Sequence, residues 1–147
     1  MSSELTLLIF DSARLLKRSF DARARALGVT RDQAHVLSRL ARHEGINQTG
    51  FAELIEVEPI PLSRLIDRLT AAGLVYRERD PADRRTRRLY LTRAGWDKLE
   101  QLRPVVQSLD IEACSGVPQE ELTTARSVIE RLIANLASKR QASGADS

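Results

Sequence analysis

One stretch, Leu54 to Thr92, constrains this 147-residue chain more than any other. Leu62, Leu65, Ile66 and Leu69 recur at i, i+3, i+4 and i+7, the apolar stripe of a short amphipathic helix. Ser63, Arg64, Asp67 and Arg68 stand between them and form its other face. Ala72-Gly73 closes the helix, because glycine tolerates the left-handed backbone at which helices end. Leu74 to Arg79 then reads as a strand, Asp80-Pro81-Ala82-Asp83-Arg84-Arg85 as a charged turn, and Arg87 to Thr92 as a returning strand.

The residues before this stretch give it a partner helix. Asn47 is a good N-cap, and Phe51, Ala52, Leu54 and Ile55 form the buried side of a short helix that stops near Val57. Glu58-Pro59-Ile60-Pro61 follows. Proline disrupts a helix interior but is accepted in the first turn, where its missing N–H would be unpaired anyway. The turn therefore falls at Glu56 to Pro59, and the next helix covers 60–72. Two short helices joined by a tight turn, the second followed by an arginine-tipped hairpin, make a winged helix-turn-helix. The expected class is mainly α with a small β wing.

Helices flank this head. Leu5, Ile9, Ala13, Leu16, Phe20, Ala24 and Leu27 step by three or four residues towards Gly28, and Leu8 and Leu15 widen the apolar face. The widened face is either ordinary core or a surface that packs on a second subunit. Thr30-Arg31-Asp32-Gln33 is a capping box opening a helix whose inner face is Ala34, Leu37, Leu40 and Ala41. His43-Glu44-Gly45 ends it, and Ile46 begins a very short extended piece beside the wing. After the wing, Thr92 caps a long helix carrying Leu99, Leu102, Val106 and Leu109, with Pro104 as an expected kink. Ala113 to Val117 is a break. A final helix from Pro118 places Leu122, Ala125, Ile129, Leu132, Ile133 and Leu136 on one side.

Charge is concentrated where the reading head is expected. The net charge is +3. From Pro59 to Arg93 there are nine arginines against Asp67, Glu78, Asp80 and Asp83, so that segment is +5 and the remainder is −2. A basic patch on one element is the footprint of a nucleic-acid binder, and the plain alternative is a solvated charged hairpin.

The chemistry of that patch suits double-stranded DNA. The N-terminal end of a recognition helix sits deepest in the major groove, and here it holds Pro59, Ile60, Pro61, Ser63 and Arg64. Arg64 can bind guanine bidentately or a phosphate, and Ser63 can donate or accept. Pro61 removes a donor and presents an apolar edge suited to a thymine methyl. Arg68, one turn later, reaches the DNA backbone. Arg84 and Arg85, with Arg87 behind them, suit a narrow, electronegative minor groove. Asp80 and Asp83 would repel phosphate if they faced it, so they are expected to position the arginines or cap the turn. Asn47 and Gln48, at a helix N-terminus, are expected phosphate contacts.

In order and spacing, Thr30 to Leu102 resembles the MarR (multiple antibiotic resistance regulator) family of bacterial transcription factors. The residues that carry the resemblance are Gln33, Val36-Leu37 and Leu40, then Glu44-Gly45-Ile46-Asn47-Gln48, Phe51-Ala52-Glu53-Leu54 and Leu62 to Leu69. Ala72-Gly73-Leu74-Val75, Arg77, Asp80 to Arg85, Leu89-Tyr90-Leu91-Thr92 and Gly95 complete them. The resemblance implies an obligate homodimer, with 1–29 and 93–138 as a helical dimerisation region, 30–92 as the DNA-binding head and 139–147 as a flexible tail. It implies a repressor on a palindromic operator, with recognition helices in successive major grooves and a wing arginine, Arg84 or Arg85, in each flanking minor groove. It maps a pairing between recognition helix and wing onto Asp67 and Arg85. It also implies release of DNA by a small aromatic acid or phenol, and Ala34, at a position that is often aromatic in the family and beside the region where effectors lodge, is either ordinary core or an enlargement of a ligand cavity. Pro61 departs from the family's usual Ser or Thr, and Gly50 from its usual acidic cap partner.

Other chemistries find less support. There is no Gly-rich phosphate loop, nucleophile elbow or His/Cys/Asp constellation, so an enzyme is not expected, and neither is a cofactor. His35 and His43 lack an acidic or thiol cluster and are read as structural or surface residues rather than metal ligands. Cys114 follows Asp110 and Glu112, which disfavour a thiolate, and is read as a structural thiol. Trp96 fits core, surface or pocket equally. A single cysteine, no apolar leader and no uncharged window of about 18 residues point to a cytoplasmic protein. A winged-helix module that binds protein instead of DNA is the remaining rival, and steep salt dependence separates the two.

Overall fold

The computed structural model describes residues 3–144, with side chains from 4 to 137. The chain divides into two compact units, 1–109 and 110–147.

The first unit begins with α1 (Ser3–Ala24), followed by a single 3-10 turn that ends at Gly28 with φ 74°. The capping box at Thr30 forms as expected: the Thr30 hydroxyl accepts from the Gln33 amide and the Gln33 side chain accepts from the Thr30 amide. It opens α2 (Arg31–Ala41), which buries Ala34, Val36, Leu37 and Leu40. Asn47 caps α3 (Gln48–Ile55) by accepting from the Gly50 amide at 2.7 Å. The turn after α3 passes through Glu56 at φ 56°. Next, α4 (Pro59–Ala71) starts on Pro59 itself, one residue earlier than expected, and buries Leu62, Ile66 and Leu69. Gly73 ends it at φ 75°.

The wing is β1 (Val75–Arg79) paired antiparallel with β2 (Arg87–Leu91), in a register that sets Val75 opposite Leu91 and Tyr76 opposite Tyr90. The segment before α3 lies along the free edge of β2. The Gly45 amide donates to the Leu89 carbonyl, the Leu89 amide donates to Ile46, and the Glu44 carboxylate accepts from the Leu91 amide at 2.8 Å. The expected lone strand at Ile46 is thus reduced to one bridge, between Asn47 and Arg88, and a side-chain oxygen satisfies the next edge donor. Thr92 caps α5 (Arg93–Ala113) by accepting from the Gly95 amide, and its hydroxyl donates to the Gly73 carbonyl.

These elements share one apolar core. Phe20 and Ala24 of α1, the inner faces of α2, α3 and α4, Leu74, Val75, Leu89 and Leu91 around the wing, and Leu102 of α5 are buried together. No polar or charged residue among those described is buried. Leu54 is the exception to the expected inner face of α3: it is 40% exposed, while Phe51 and Ala52 are buried. At about 100° per residue, Leu54 falls on the opposite flank of Phe51 from Ala52 and Ile55, beyond the arc that meets the core. Polar ties lock the flanking helices to the head. Lys17 pairs with Asp32 at 2.9 Å, Lys98 donates to the Leu27 carbonyl at 2.8 Å, and Arg23 donates to Ser108. Pro104 lies within α5, where it leaves the Glu100 carbonyl without its helical donor.

The second unit consists of the end of α5, the break at Gly116 (φ 78°) and α6 (Gln119–Gly144). α6 runs past residue 138, where the helix was expected to end, and 145–147 of the expected tail lie outside the described residues.

Candidate nucleic-acid interface

Two solvent-facing features of the first unit adjoin. One is the outer face of α4. Leu62, Ile66 and Leu69 point inward, so Ile60, Arg64, Asp67 and Arg68 point out, and all four are exposed. The other is the wing, with Arg84, Arg85 and Arg87 exposed at its tip.

The wing turn is built by its two aspartates. Asp83 accepts from the Arg85 amide at 3.0 Å and from the Thr86 hydroxyl at 3.1 Å, which folds the turn back on itself. Asp80 accepts from the Ala82 amide at 2.9 Å and pairs with the Arg88 guanidinium at 3.0 Å. The Ala82 amide, and after it Arg88, hold the Asp80 carboxyl below the usual carboxylate range. Arg88 also donates to the Gly45 carbonyl at 2.9 Å, so the base of the wing is tied to the segment before α3. Both acids are consumed in holding the turn.

Arg77 joins three elements. The strand alternation that buries Val75 puts Arg77 on the same inner face. From there its Nε donates to the Gln48 side-chain oxygen of α3 at 3.2 Å, and its terminal nitrogen donates to Asp67 of α4 at 2.7 Å. The pairing expected between Asp67 and Arg85 is therefore not made. Arg85 is carried out on the tip, and Arg77, two residues from the core end of β1, is the arginine within reach of α4. Asp67 does couple recognition helix to wing, but through the strand.

Among the described residues, the side chains of Arg64, Arg68, Arg84, Arg85 and Arg87 make no hydrogen bond or ion pair, so their charge is free for a ligand. A groove of about 520 Å³ runs between the start of α3 and the wing, lined by Asn47, Gln48, Thr49, Arg85, Thr86 and Arg87. The side-chain oxygens of Asn47 and Gln48 are occupied by the cap and by Arg77, which leaves their side-chain amide N–H groups as available donors. Ser63 is half-buried, and Pro59, Ile60 and Pro61 are exposed at the start of α4.

The sequence profile of the MarR family matches residues 29–86. The transcriptional regulator HosA of Escherichia coli O111:H- is 33% identical over 93 residues, 63% of this chain and 69% of that protein. This chain belongs to the MarR family. The HTH-type transcriptional repressor MdtR of Bacillus subtilis (strain 168) is 30% identical over 105 residues, 71% of this chain and 68% of that protein. Among solved structures, a MarR mutant from E. coli complexed with operator DNA superposes with a TM-score of 0.82 at 25% identity, covering 88% of this chain and 93% of that one. A second MarR crystal structure gives 0.84 at 25% identity, covering 92% of each. The protein is a MarR-family transcriptional regulator with a DNA-binding winged helix.

The remaining candidates have other settings. Ala34 belongs to the core of the head. Trp96 is 43% exposed on the first turn of α5. Cys114 is a half-buried free thiol. His35 sits half-buried on α2, where burial, then Arg31 and Arg39, lower its pKa against the opposing pull of Asp32. No group of His, Cys, Asp and Glu among the described residues could hold a metal ion. No described helix is long and apolar enough to cross a membrane. Arg77 is the residue that the sequence places in the family pattern without assigning it a role. Its signal is an arginine in phase with Val75 on a strand face that must turn inward.

Proposed function

We propose that the protein is a homodimeric cytoplasmic repressor that binds a palindromic operator. α4 enters the major groove, and the wing arginines, Arg85 foremost, enter the flanking minor groove. The observation that carries this reading is the set of unpartnered, exposed arginines on α4 and the wing, held in one frame by Arg77, Asp67 and Asp80. Asn47, Gln48 and Arg87 line the groove beside the wing and offer N–H donors to the phosphate backbone between the two insertions.

The dimer reading is supported by apolar side chains that a monomer would leave in water. Leu7, Leu8, Phe10 and Leu15 of α1 are 55–72% exposed, and Ile133 and Leu136 of α6 are 60% and 71% exposed. Burying such side chains against a second copy is favourable at about 25 cal/mol per Å² of apolar surface, offset in part by the cost of association. The operator-bound MarR crystal structure supports double-stranded DNA as the ligand. The family resemblance supports a small aromatic acid or phenol as the releasing effector.

Fluorescence anisotropy on fragments of the protein's own upstream DNA, at two salt concentrations, tests the reading. Tight binding that weakens steeply with salt is the expected result, because several phosphates are neutralised at once. Loss of binding with one of a panel of aromatic carboxylates would identify the effector. A monomer by light scattering, or salt-independent binding, would refute the proposal.

A further inference from the structure

The first turn of α4 has lost the property that usually makes a helix N-terminus bind anions. Its first positions are Pro59, Ile60 and Pro61, and the next amide, Leu62, already donates to the Glu58 carbonyl at 3.1 Å. Two prolines carry no N–H, so Ile60 supplies the one free backbone donor of that turn. Phosphate recognition by converging amides is thereby removed from the tip of the recognition helix.

What replaces it is apolar. Ile60 is 67% exposed, among the most exposed large hydrophobic side chains of the head, and Pro59 and Pro61 beside it are exposed as well. At about 100° per residue, Ile60 and Arg64 stack one turn apart at the middle of the outward face, opposite Leu62, Ile66 and Leu69. Ile60 therefore leads the helix on the same ridge that carries Arg64, continuous with the DNA-binding surface. An isoleucine left in water there has no core to join. In the major groove the apolar feature of a base edge is the thymine C5-methyl group.

We infer that Ile60, flanked by Pro59 and Pro61, is a specificity-determining residue that reads a thymine methyl group in each operator half-site, with Arg64 reading or anchoring the adjacent position. The inference rests on α4 lying in the major groove. It places methyl contact, rather than hydrogen bonding, at the deepest point of the recognition helix.

Replacing thymine by uracil removes one methyl group and leaves every hydrogen-bonding edge unchanged. Operator duplexes carrying uracil at one thymine at a time are titrated by anisotropy against the intact protein and against Ile60→Ala and Ile60→Val. The expected result is one position per half-site where uracil weakens wild-type binding about fourfold, the ratio that burial of one methyl-sized group supports. Ile60→Ala, a change at an exposed position that the fold does not need, should abolish that thymine preference, and Ile60→Val should keep part of it. A wild-type protein indifferent to uracil throughout, or an Ile60→Ala variant that keeps the preference, would overturn the inference while leaving DNA binding intact. Failure of the unmodified operator to bind at all would instead overturn the functional reading and this inference with it.

Discussion

Replacing Arg77 by alanine should damage DNA binding although Arg77 itself lies on the inner face of the wing. Its guanidinium holds Gln48 of α3 and Asp67 of α4 from β1, with the Arg77 side chain 24% exposed and Asp67 63% exposed. The exposed carboxylate rehydrates easily when the pair is broken, so the ion pair contributes about 0.5–1 kcal/mol to stability, near the upper end for surface pairs. The effect on DNA is different. Asp67 lies on the outward face of the recognition helix, and without Arg77 its charge is uncompensated. Within one Debye length, about 8 Å, of the backbone, each phosphate repels it by about 0.5 kcal/mol in high dielectric. Two phosphates and a loosened wing together cost about 1–2 kcal/mol, a five- to thirtyfold rise in Kd. A double-mutant cycle decides the matter. Arg77→Ala, Asp67→Asn and the double variant are compared by operator anisotropy at fixed salt, with urea unfolding alongside. Asp67→Asn in the Arg77→Ala background should recover most of the lost affinity, because it removes the exposed charge. The same cycle between Asp67 and Arg85 should be additive. A double variant no better than Arg77→Ala alone, or strong coupling of Asp67 to Arg85, would refute the assignment.

Three further outcomes follow from single contacts. Arg85→Ala, which removes an exposed and unpartnered tip arginine, should cost about 1–3 kcal/mol of operator affinity and leave the urea midpoint unchanged; undiminished affinity would remove it from the interface. Gly95→Ala should destabilise by about 2–3 kcal/mol, because a Cβ there would press directly on the Leu74 carbonyl oxygen, and a urea midpoint equal to wild type would contradict that contact. His35 is held neutral by burial and by Arg31 and Arg39, so its folded pKa lies below the unfolded value of about 6.5. Its contribution is present above pH 6.5 and is lost as pH falls through the folded pKa. His35→Gln should therefore shrink the drop in melting temperature between pH 7.5 and 5.5, and an unaltered drop would sink the assignment.

Features written within one or two turns of chain are legible in the sequence itself. The Thr30–Gln33 box, the Asn47 cap and the Gly73 stop each depend on residues three or fewer apart, and each forms as expected. Leu54 leaves its expected face for a reason equally local. On an eight-residue helix the buried arc spans little more than Phe51, Ala52 and Ile55, and a leucine on its flank is apolar without being inside. The partner of Asp67 is beyond local reading. Choosing Arg77 over Arg85 requires knowing which face of β1 turns towards α4, and that is set by the register of the hairpin and the burial of Val75.

That register also divides the arginines by task. Arg77 and Arg88 are paired with Asp67 and Asp80, so each pair removes one charge of each sign and the +5 of the segment 59–93 is unaltered. Asp83 is turned onto backbone and hydroxyl donors of its own turn. The surplus is consequently carried by Arg64, Arg68, Arg79, Arg84, Arg85, Arg87 and Arg93, against Glu78 and Asp83. The paired arginines fix the angle between helix and wing at no expense to the attractive field, and the unpaired ones supply that field. Removing a whole pair, as in Arg77→Ala with Asp67→Asn, is charge-neutral and should therefore leave the salt slope near that of wild type, whereas loss of a tip arginine should lower it by about one counterion. The slope, not the affinity, distinguishes an arginine that positions from one that touches DNA.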